Sequence, residues 1–437
     1  MNRLAFVAAR VRDSFWFVPA VAIVLAIVLA ELVVLLDRAL DIRGVLIIDV
    51  GPDGARGLLA AIATSMLASA ATMFSITIAV LALTASAYGP RLVRNFMSDR
   101  GNQLVLATLV STALYALLVL RRVRSGDDEF VPSAGVSLAL GLTVVCIALL
   151  IYFIHHISTG IQISTLAGGV RVELAARMLQ SYPEREAADR RSDAHWPVPD
   201  GTEHEIRARS DGYVADIGES ELVAAARSDG ARVDLRVRPG TFVCRGDLVA
   251  AVALDDEYAG EKPTDERVSG VESAVRSAVA VRDERTPYQD VEHLARQLVD
   301  IAARAISPGI NDPYTAVAAI DALAAGLAGT AGHADPQPVV VDSEARPRLR
   351  LAQRRWIDVV TDSVDAIRVY SAGQPIVAER LLDLLERLAL RTASAHRRLA
   401  LVAAADRVLR GADAPSLLTE DHDRLRAAAS WMTEEAR

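Results

Sequence analysis

No charged side chain occurs between Arg56 and Arg91, and this interval constrains the fold more than any other feature of the chain. Its centre reads LLAAIATSMLASAATMFSITIAVLALTASAYG, longer than the roughly 20 apolar residues that a helix needs to cross a bilayer. The run is therefore expected to be a membrane helix with turns to spare. Unlike a plain lipid anchor it carries Thr64, Ser65, Ser69, Thr72, Ser75, Thr77, Thr84 and Ser86. Ser65, Ser69 and Thr72 recur at i, i+4, i+7 and so share one helix face, which calls for a partner or water. Gly89 and Pro90 break the helix, and Arg91, Arg94 and Arg100 follow as a positive collar.

Three further apolar runs give expected spans at about 15–36, 103–120 and 131–155, with the central one at about 58–85. The first follows Arg3, Arg10 and Arg12 and is longer than the roughly 7 to 15 apolar residues of a secretory signal, so it reads as a retained helix. Near its end Glu31 is placed to reach the headgroups, the alternative being a functional carboxylate facing the bundle interior. His155 and His156 end the fourth run as an interfacial pair. Neighbours on a helix diverge too far to chelate one ion together, and pH sensing is the competing role.

At 437 residues with a net charge of -8, the chain exceeds one ordinary domain and carries no basic, aromatic-laced patch that would suit nucleic acid. Its basic residues are arginine except for Lys262. The expected class is a mainly α integral membrane protein with four transmembrane helices and a cytoplasmic α+β region. Residues 1–158 form the membrane domain, 159–202 a stalk and connector, 203–257 a small β-rich module, and 258–437 a helical domain ending in a bundle. Four spans place both termini on one side. Arginine is only slightly in excess at the inner ends, but Cys146 and Cys244 are badly placed to pair, which suits a reducing cytoplasm.

Within 203–257 the phrases DGYVADI and VRPGTFVCRGDLVAAV combine strands with glycine turns. Val233, Leu235 and Val237 alternate with polar residues as a half-buried strand does, and Pro239-Gly240 suits a type II turn. These phrases resemble the hammerhead of biotinyl and lipoyl carriers. No lysine is present in them, so the resemblance extends to fold and not to carrier function. Further on, Val291, Leu294, Leu298, Ile301 and Ala305 line one face of a helix. The string SPGINDPYTA then reads as a corner, with Asp312 an N-cap and Pro313 the first helical residue. The competing reading makes Asp300, Asn311 and Asp312, with His293 nearby, a polar site for a cation. Trp356, Val360, Val364 and Ile367 make a further apolar face, Val377, Leu381, Leu384 and Leu388 another, and Glu420 to Ala436 a last amphipathic helix.

The blocks AYGPRLVRNFMSDRGNQLVLATLVSTALYALLVLR, YFIHHISTGIQ and QLVDIAARAISPGINDPYTA resemble the bacterial membrane proteins grouped as domain of unknown function family 2254. The resemblance covers nearly the whole chain. It implies an N-terminal helical membrane region and a C-terminal soluble region, and it brings no catalytic residues.

No P-loop, GxGxxG after a strand, HExxH, nucleophile elbow or kinase signature occurs, so neither an enzyme, a cofactor nor a resident metal is expected. The expected function is an oligomeric channel or pore-like transporter for small ions in the bacterial inner membrane. Ser65, Ser69 and Thr72 would line a wet path, Arg91 and Arg94 ring its inner mouth, and the soluble part form a vestibule. Expected partners are the lipid bilayer, further copies of the chain and small ions. The alternative is a membrane-anchored sensor or scaffold, because small and hydroxyl residues serve helix packing equally well.

Overall fold

The structure, a computed structural model, describes residues 16–40, 50–88, 100–125, 130–160, 163–184, 195–197, 203–255, 263–414 and 417–435. It divides into two compact units, Met1–Leu166 and Ala167–Arg437.

The first unit contains α1 (Phe17–Leu40), α2 (Pro52–Tyr88), α3 (Arg100–Leu120) and α4 (Ser133–Gly160). Each is long and apolar enough to cross a membrane, over Phe17–Ala39, Pro52–Ala82, Arg100–Leu120 and Ser133–Ile157. α2 begins earlier than its apolar run because Pro52 and Asp53 suit a first helical turn. The helix α3 is the centre of this unit, flanked by α1 and α2 with α4 on its remaining side. Its apolar window is 56% buried, against 17–22% for the other three. Ala26, Ala30, Ala55, Ala63, Ala70, Ala113 and Ala116 recur in the shared core. Small side chains let helices approach closely where the hydrophobic effect does not drive association.

The second unit contains most of α5 (Ile163–Ser181), followed by β1 (His204–Arg207), β2 (Gly212–Ile217), α6 (Glu219–Ser228), β3 (Ala231–Leu235), β4 (Phe242–Val243) and β5 (Leu248–Leu254). Next come α7 (Thr264–Ala278), β6 (Val279–Arg282), α8 (Val291–Ala305), α9 (Pro313–Ala328), β7 (Val339–Val341) and β8 (Pro347–Arg350). The chain continues through α10 (Trp356–Arg368), α11 (Pro375–Ala389), α12 (Ala395–Ala412), α13 (Thr419–Ala428) and α14 (Trp431–Glu435). One sheet runs β1-β5-β3-β8-β7 and a second β4-β2-β6. The larger sheet therefore reaches past 203–257, since β8 pairs in parallel with β3 at Val233↔Leu349 and Asp234↔Arg350.

The glycine turns take the geometry their sequence demands. Thr241 N donates to Arg238 O at 3.0 Å with Gly240 at φ +85, as position i+2 of a type II turn requires. Gly240 also lies tight against its surroundings, because a Cβ there would stand 2.6 Å from Arg285 Nη2 and closer still to Asp290. The turn is thus pinned to the ion pair at the start of α8. Val233, Leu235 and Val237 are buried, but Asp234 between them is buried too. The alternation fails there because Arg350, across the parallel pair, and Arg236 both engage its carboxylate.

Beside it lies a buried charge network. Arg348, 1% exposed at its side chain, bridges Asp342 at 2.8 Å and Asp255 at 2.6 Å, and Asp255 also receives Arg232. Burial would raise the Asp342 carboxyl, but hydrogen bonds from Arg348 and from the Arg346 and Glu344 amides outweigh it and hold the group below its usual range.

The apolar faces of α8, α10 and α11 are buried at every position expected of them. The last helix is not continuous. It ends at Ala428 and restarts at Trp431, which turns inward to a 7% exposed position.

Removing one member of a buried, fully paired charge network strands the others. Arg348→Met is expected to cost on the order of 3–5 kcal/mol at neutral pH, read as a fall in the thermal unfolding temperature of purified protein. Asp342 has a depressed folded pKa, so its stabilisation is present above its unfolded pKa and lost as pH falls through the folded value. The deficit of the variant should accordingly shrink in acid.

Candidate functional site

The residues that the sequence singles out fall in two places, the outward face of α2 and the corner between α8 and α9. Among the described residues of α2 the buried positions are Ala55, Leu59, Ile62, Ala63, Met66, Ala70, Met73 and Thr77. The rest of its circumference is divided. Leu67, Phe74 and Ile78, at i, i+7, i+11, form an exposed apolar sector. Ala61, Ser65, Ala68, Thr72 and Ala79, flanked by Thr64, Ala71 and Ser75, form an exposed sector of small and hydroxyl residues, interrupted by Ile76. Ser69 lies half-buried at its edge. The hydroxyl face therefore points away from the chain's own bundle. Its donors are partly satisfied within the helix: Thr64, Thr72 and Ser75 donate to the carbonyls of Ala60, Ala68 and Ala71 at 2.9–3.0 Å, a bond that a hydroxyl makes with the preceding turn. The acceptor lone pairs remain. Arg91 and Arg94 lie outside the described residues.

A polar assembly that sequence reasoning missed ties the helices together at the end of the bundle where α1 finishes. Asp37, 9% exposed, accepts from Ala134 N at 3.0 Å and Gly135 N at 3.4 Å. One carboxylate thereby satisfies two of the amides at the start of α4 and complements its dipole. Arg122 donates to Glu31 at 2.6 Å, so the carboxylate of α1 near the membrane surface is held by the residue just past α3. Arg56 of α2 donates to Ser125 Oγ at 2.7 Å and to Val123 O at 3.3 Å, and Arg38 sits 4.8 Å over the Phe130 ring. The only sequence signal for this was that Glu31 and Asp37 lie near the end of apolar run 1 and Arg121 and Arg122 at the end of run 3. At the other end of α3, Asn102 is 1% exposed, and among the described residues neither its amide nitrogen nor its oxygen has a hydrogen-bond partner. On α4, His156 stacks on Tyr152 at 5.2 Å between ring centroids.

In the corner, Asp312 N donates to Ala305 O at 2.7 Å and closes the turn. Asn311 takes φ +49, a left-handed conformation that asparagine tolerates better than most side chains, and its Oδ1 accepts from Gln374 at 3.2 Å. Asp312 accepts from Thr315 N at 3.1 Å and Thr315 Oγ1 at 2.6 Å, with Pro313 at the first helical position. Those Thr315 bonds hold the Asp312 carboxyl below its ordinary pKa. Asn311 and Asp312 thus engage different helices, α11 and α9, and Asp300 lies half-buried upstream in α8. His293 meets Gln297 through its ring at 3.1 Å. Among the described residues no three His, Cys, Asp or Glu side chains are grouped to hold a metal ion.

Four membrane-length helices joined to a mixed α and β region define a multi-helix membrane protein. The family model described as predicted membrane protein (DUF2254) matches residues 12–387, and the chain belongs to that family. It is 33% identical over 390 residues to an uncharacterized protein of Mycobacterium bovis and to one of Mycobacterium tuberculosis H37Rv, covering 88% of this chain and 73% of each relative. An uncharacterized protein of M. tuberculosis CDC 1551 is 30% identical over 387 residues, with the same coverage. No solved structure matches.

Two outcomes test these assignments. Arg122→Glu should lower thermal stability by placing two carboxylates together, and adding Glu31→Arg should recover most of the loss, because the swap restores the pair. Asp312→Ala should cost on the order of 1 kcal/mol and Asp312→Ser much less, since serine also caps. A thermal shift on adding divalent cations that disappears in both Asp312 variants would instead identify a cation site.

Proposed function

We propose that the protein is a homo-oligomeric channel or pore-like transporter for small ions in the bacterial cytoplasmic membrane, with both termini and the region after α4 on the cytoplasmic side. The observation that supports this most is the division of the exposed surface of α2. A helix surrounded only by lipid has no reason to separate Leu67, Phe74 and Ile78 from Ser65, Ala68 and Thr72. The first sector suits acyl chains, and the second suits another copy of the chain with water between. Arg91 and Arg94, next along the chain, then supply a positive inner mouth that concentrates anions. Residues 1–158 act as the membrane domain and 159–202 as stalk and connector. The 203–257 region, hammerhead-like in its turns, and the helices from 258 to 437 build the vestibule.

A second reading has support of its own. The hydroxyls of Thr64, Thr72 and Ser75 already donate to α2, so the sector tolerates a dry helix seam. In that case the membrane unit anchors and oligomerises a sensor or scaffold region, which binds a ligand or partner.

Flux through liposomes containing the purified protein separates the two. Ser69→Leu and Thr72→Leu should abolish most of the flux, Leu67→Ala should leave it intact, and Arg91→Glu should move selectivity from anions toward cations. Intact flux in Ser69→Leu with collapse of the oligomer, read as mass in detergent, would favour the scaffold.

A further inference from the structure

Four stretches far apart in the chain meet around a cavity of about 70 Å³ in the second unit. They are the end of α5 at Tyr182, the turn at Arg238 and Pro239, the start of α8 at Glu292, and Ala352 to Arg354 ahead of α10. At roughly 10–15 Å³ per water, the cavity has room for about five. Hydrogen bonds fix the backbone at both arginines that line it. Arg238 opens the type II turn, its amide donating to Thr241 Oγ1 at 3.2 Å, and the buried Tyr182 donates to Arg354 O at 3.2 Å.

Glu292 lies between those arginines and does not satisfy them. Arg238 reaches it through Nη2 alone, at 3.2 and 3.3 Å, longer than the two parallel bonds of about 2.7–2.9 Å that a guanidinium and a carboxylate prefer. Arg354 Nε stands 2.5 Å from Glu292 Oε1, yet it is buried in a geometry that makes no hydrogen bond, and its Nη2 turns to Asp362. Among the described residues, Nε and Nη1 of Arg238 and Nη1 of Arg354 make no hydrogen bond. The carboxylate of Asp290 is committed to Arg285 and to the His293 amide. Donors therefore exceed acceptors among the charged groups at the cavity, and the ligand that suits it is an acceptor.

Charge narrows the class. Arg238, Arg285 and Arg354 are offset by Asp290, Glu292 and Asp362, so the surroundings hold no surplus of positive charge for a doubly charged phosphate. A singly charged, planar group with two oxygens matches the fork of a guanidinium, and the volume limits its tail to a few carbons.

We propose that this cavity binds a small monocarboxylate, its oxygens on Arg238 and Arg354 and its short tail against Pro239 and Ala352. The site lies apart from the α2 sector and the corner between α8 and α9. The proposal goes beyond the channel reading and does not depend on it. A ligand held there bridges the turn after β3 to the segment that Tyr182 ties to the end of α5.

The test is a calorimetric titration of the full chain in nanodiscs with sodium propionate, at ionic strength held constant with sodium chloride. Propionamide and inorganic phosphate are run alongside. Saturable propionate binding with a rise in thermal unfolding temperature is expected, together with weaker binding of phosphate and none of propionamide, which has the shape without the charge. Arg238→Gln should weaken propionate binding about tenfold or more, the worth of a hydrogen bond to a charged group, and should unfold near the parent temperature without ligand. Ala352→Leu fills the cavity at unchanged charge and should abolish binding; if that variant does not fold, Arg238→Gln decides alone. Absence of saturable binding, undiminished binding in a folded Arg238→Gln or Ala352→Leu, equal binding of propionamide, or tighter binding of phosphate overturns the proposal. None of these results bears on ion flux, so the proposal and the channel reading fail separately.

Discussion

The structure of the membrane unit depends on one constraint, that hydrocarbon offers no partner to a polar group. Asp37 shows how the constraint is met. The first amides of α4 have no carbonyl of their own helix to bond, and the carboxylate of α1 accepts from two of them. The bond fixes where α1 ends relative to where α4 begins. Tyr115, donating to Gly135 O at 3.2 Å, adds α3 to the same point. Glu31 with Arg122 and Arg56 with the Val123 carbonyl do the same between α1, α3 and α2. One end of the bundle is thereby stapled by charge-assisted bonds, each stronger than a neutral one. At the start of α3, by contrast, Asn102 has no partner among the described residues. A buried amide left without a partner costs about 1–3 kcal/mol.

The same constraint explains why the hydroxyl face of α2 is ambiguous in chemical terms and informative in spatial ones. Threonine and serine on a membrane helix return their protons to the preceding turn, as Thr64, Thr72 and Ser75 do, and so demand nothing from outside. Their position carries the information. Thr64, Thr72 and Ser75 lie off the buried side of α2 and apart from Leu67, Phe74 and Ile78, whereas Thr77 makes the same bond from the buried side. A chain that only needed close packing within its own bundle would place its small residues inward, where Ala63 and Ala70 already are.

Local chemistry was legible in the sequence wherever one residue type decides the outcome. Uncharged length gave the four membrane helices, Pro239-Gly240 gave the type II turn, and periodicity gave the buried faces of α8, α10 and α11. What the sequence did not reveal is long-range pairing. Nothing near Asp37 announces that its partners are amides at 134 and 135, and nothing near β3 announces that β8 will lie beside it. Asp234 looked like the outward member of an alternating strand until Arg350 was brought over it by that pairing. The break before Trp431 went unseen for a similar reason, since an amphipathic pattern continues through it. Of the named site residues, Ser65 and Thr72 are exposed on α2 and Ser69 is half-buried beside them, while Arg91 and Arg94 lie outside the described residues.

The central claim is that water reaches one sector of α2 and lipid the other. It is tested most directly by placing single cysteines at Ser65, Ser69 and Thr72, and at Leu67, Phe74 and Ile78, in a background without Cys146 and Cys244. The labelling rate of each with a small, charged maleimide is then measured in intact membranes. A wet path predicts fast labelling at 65, 69 and 72 and protection at 67, 74 and 78. Equal protection at all six positions would contradict it.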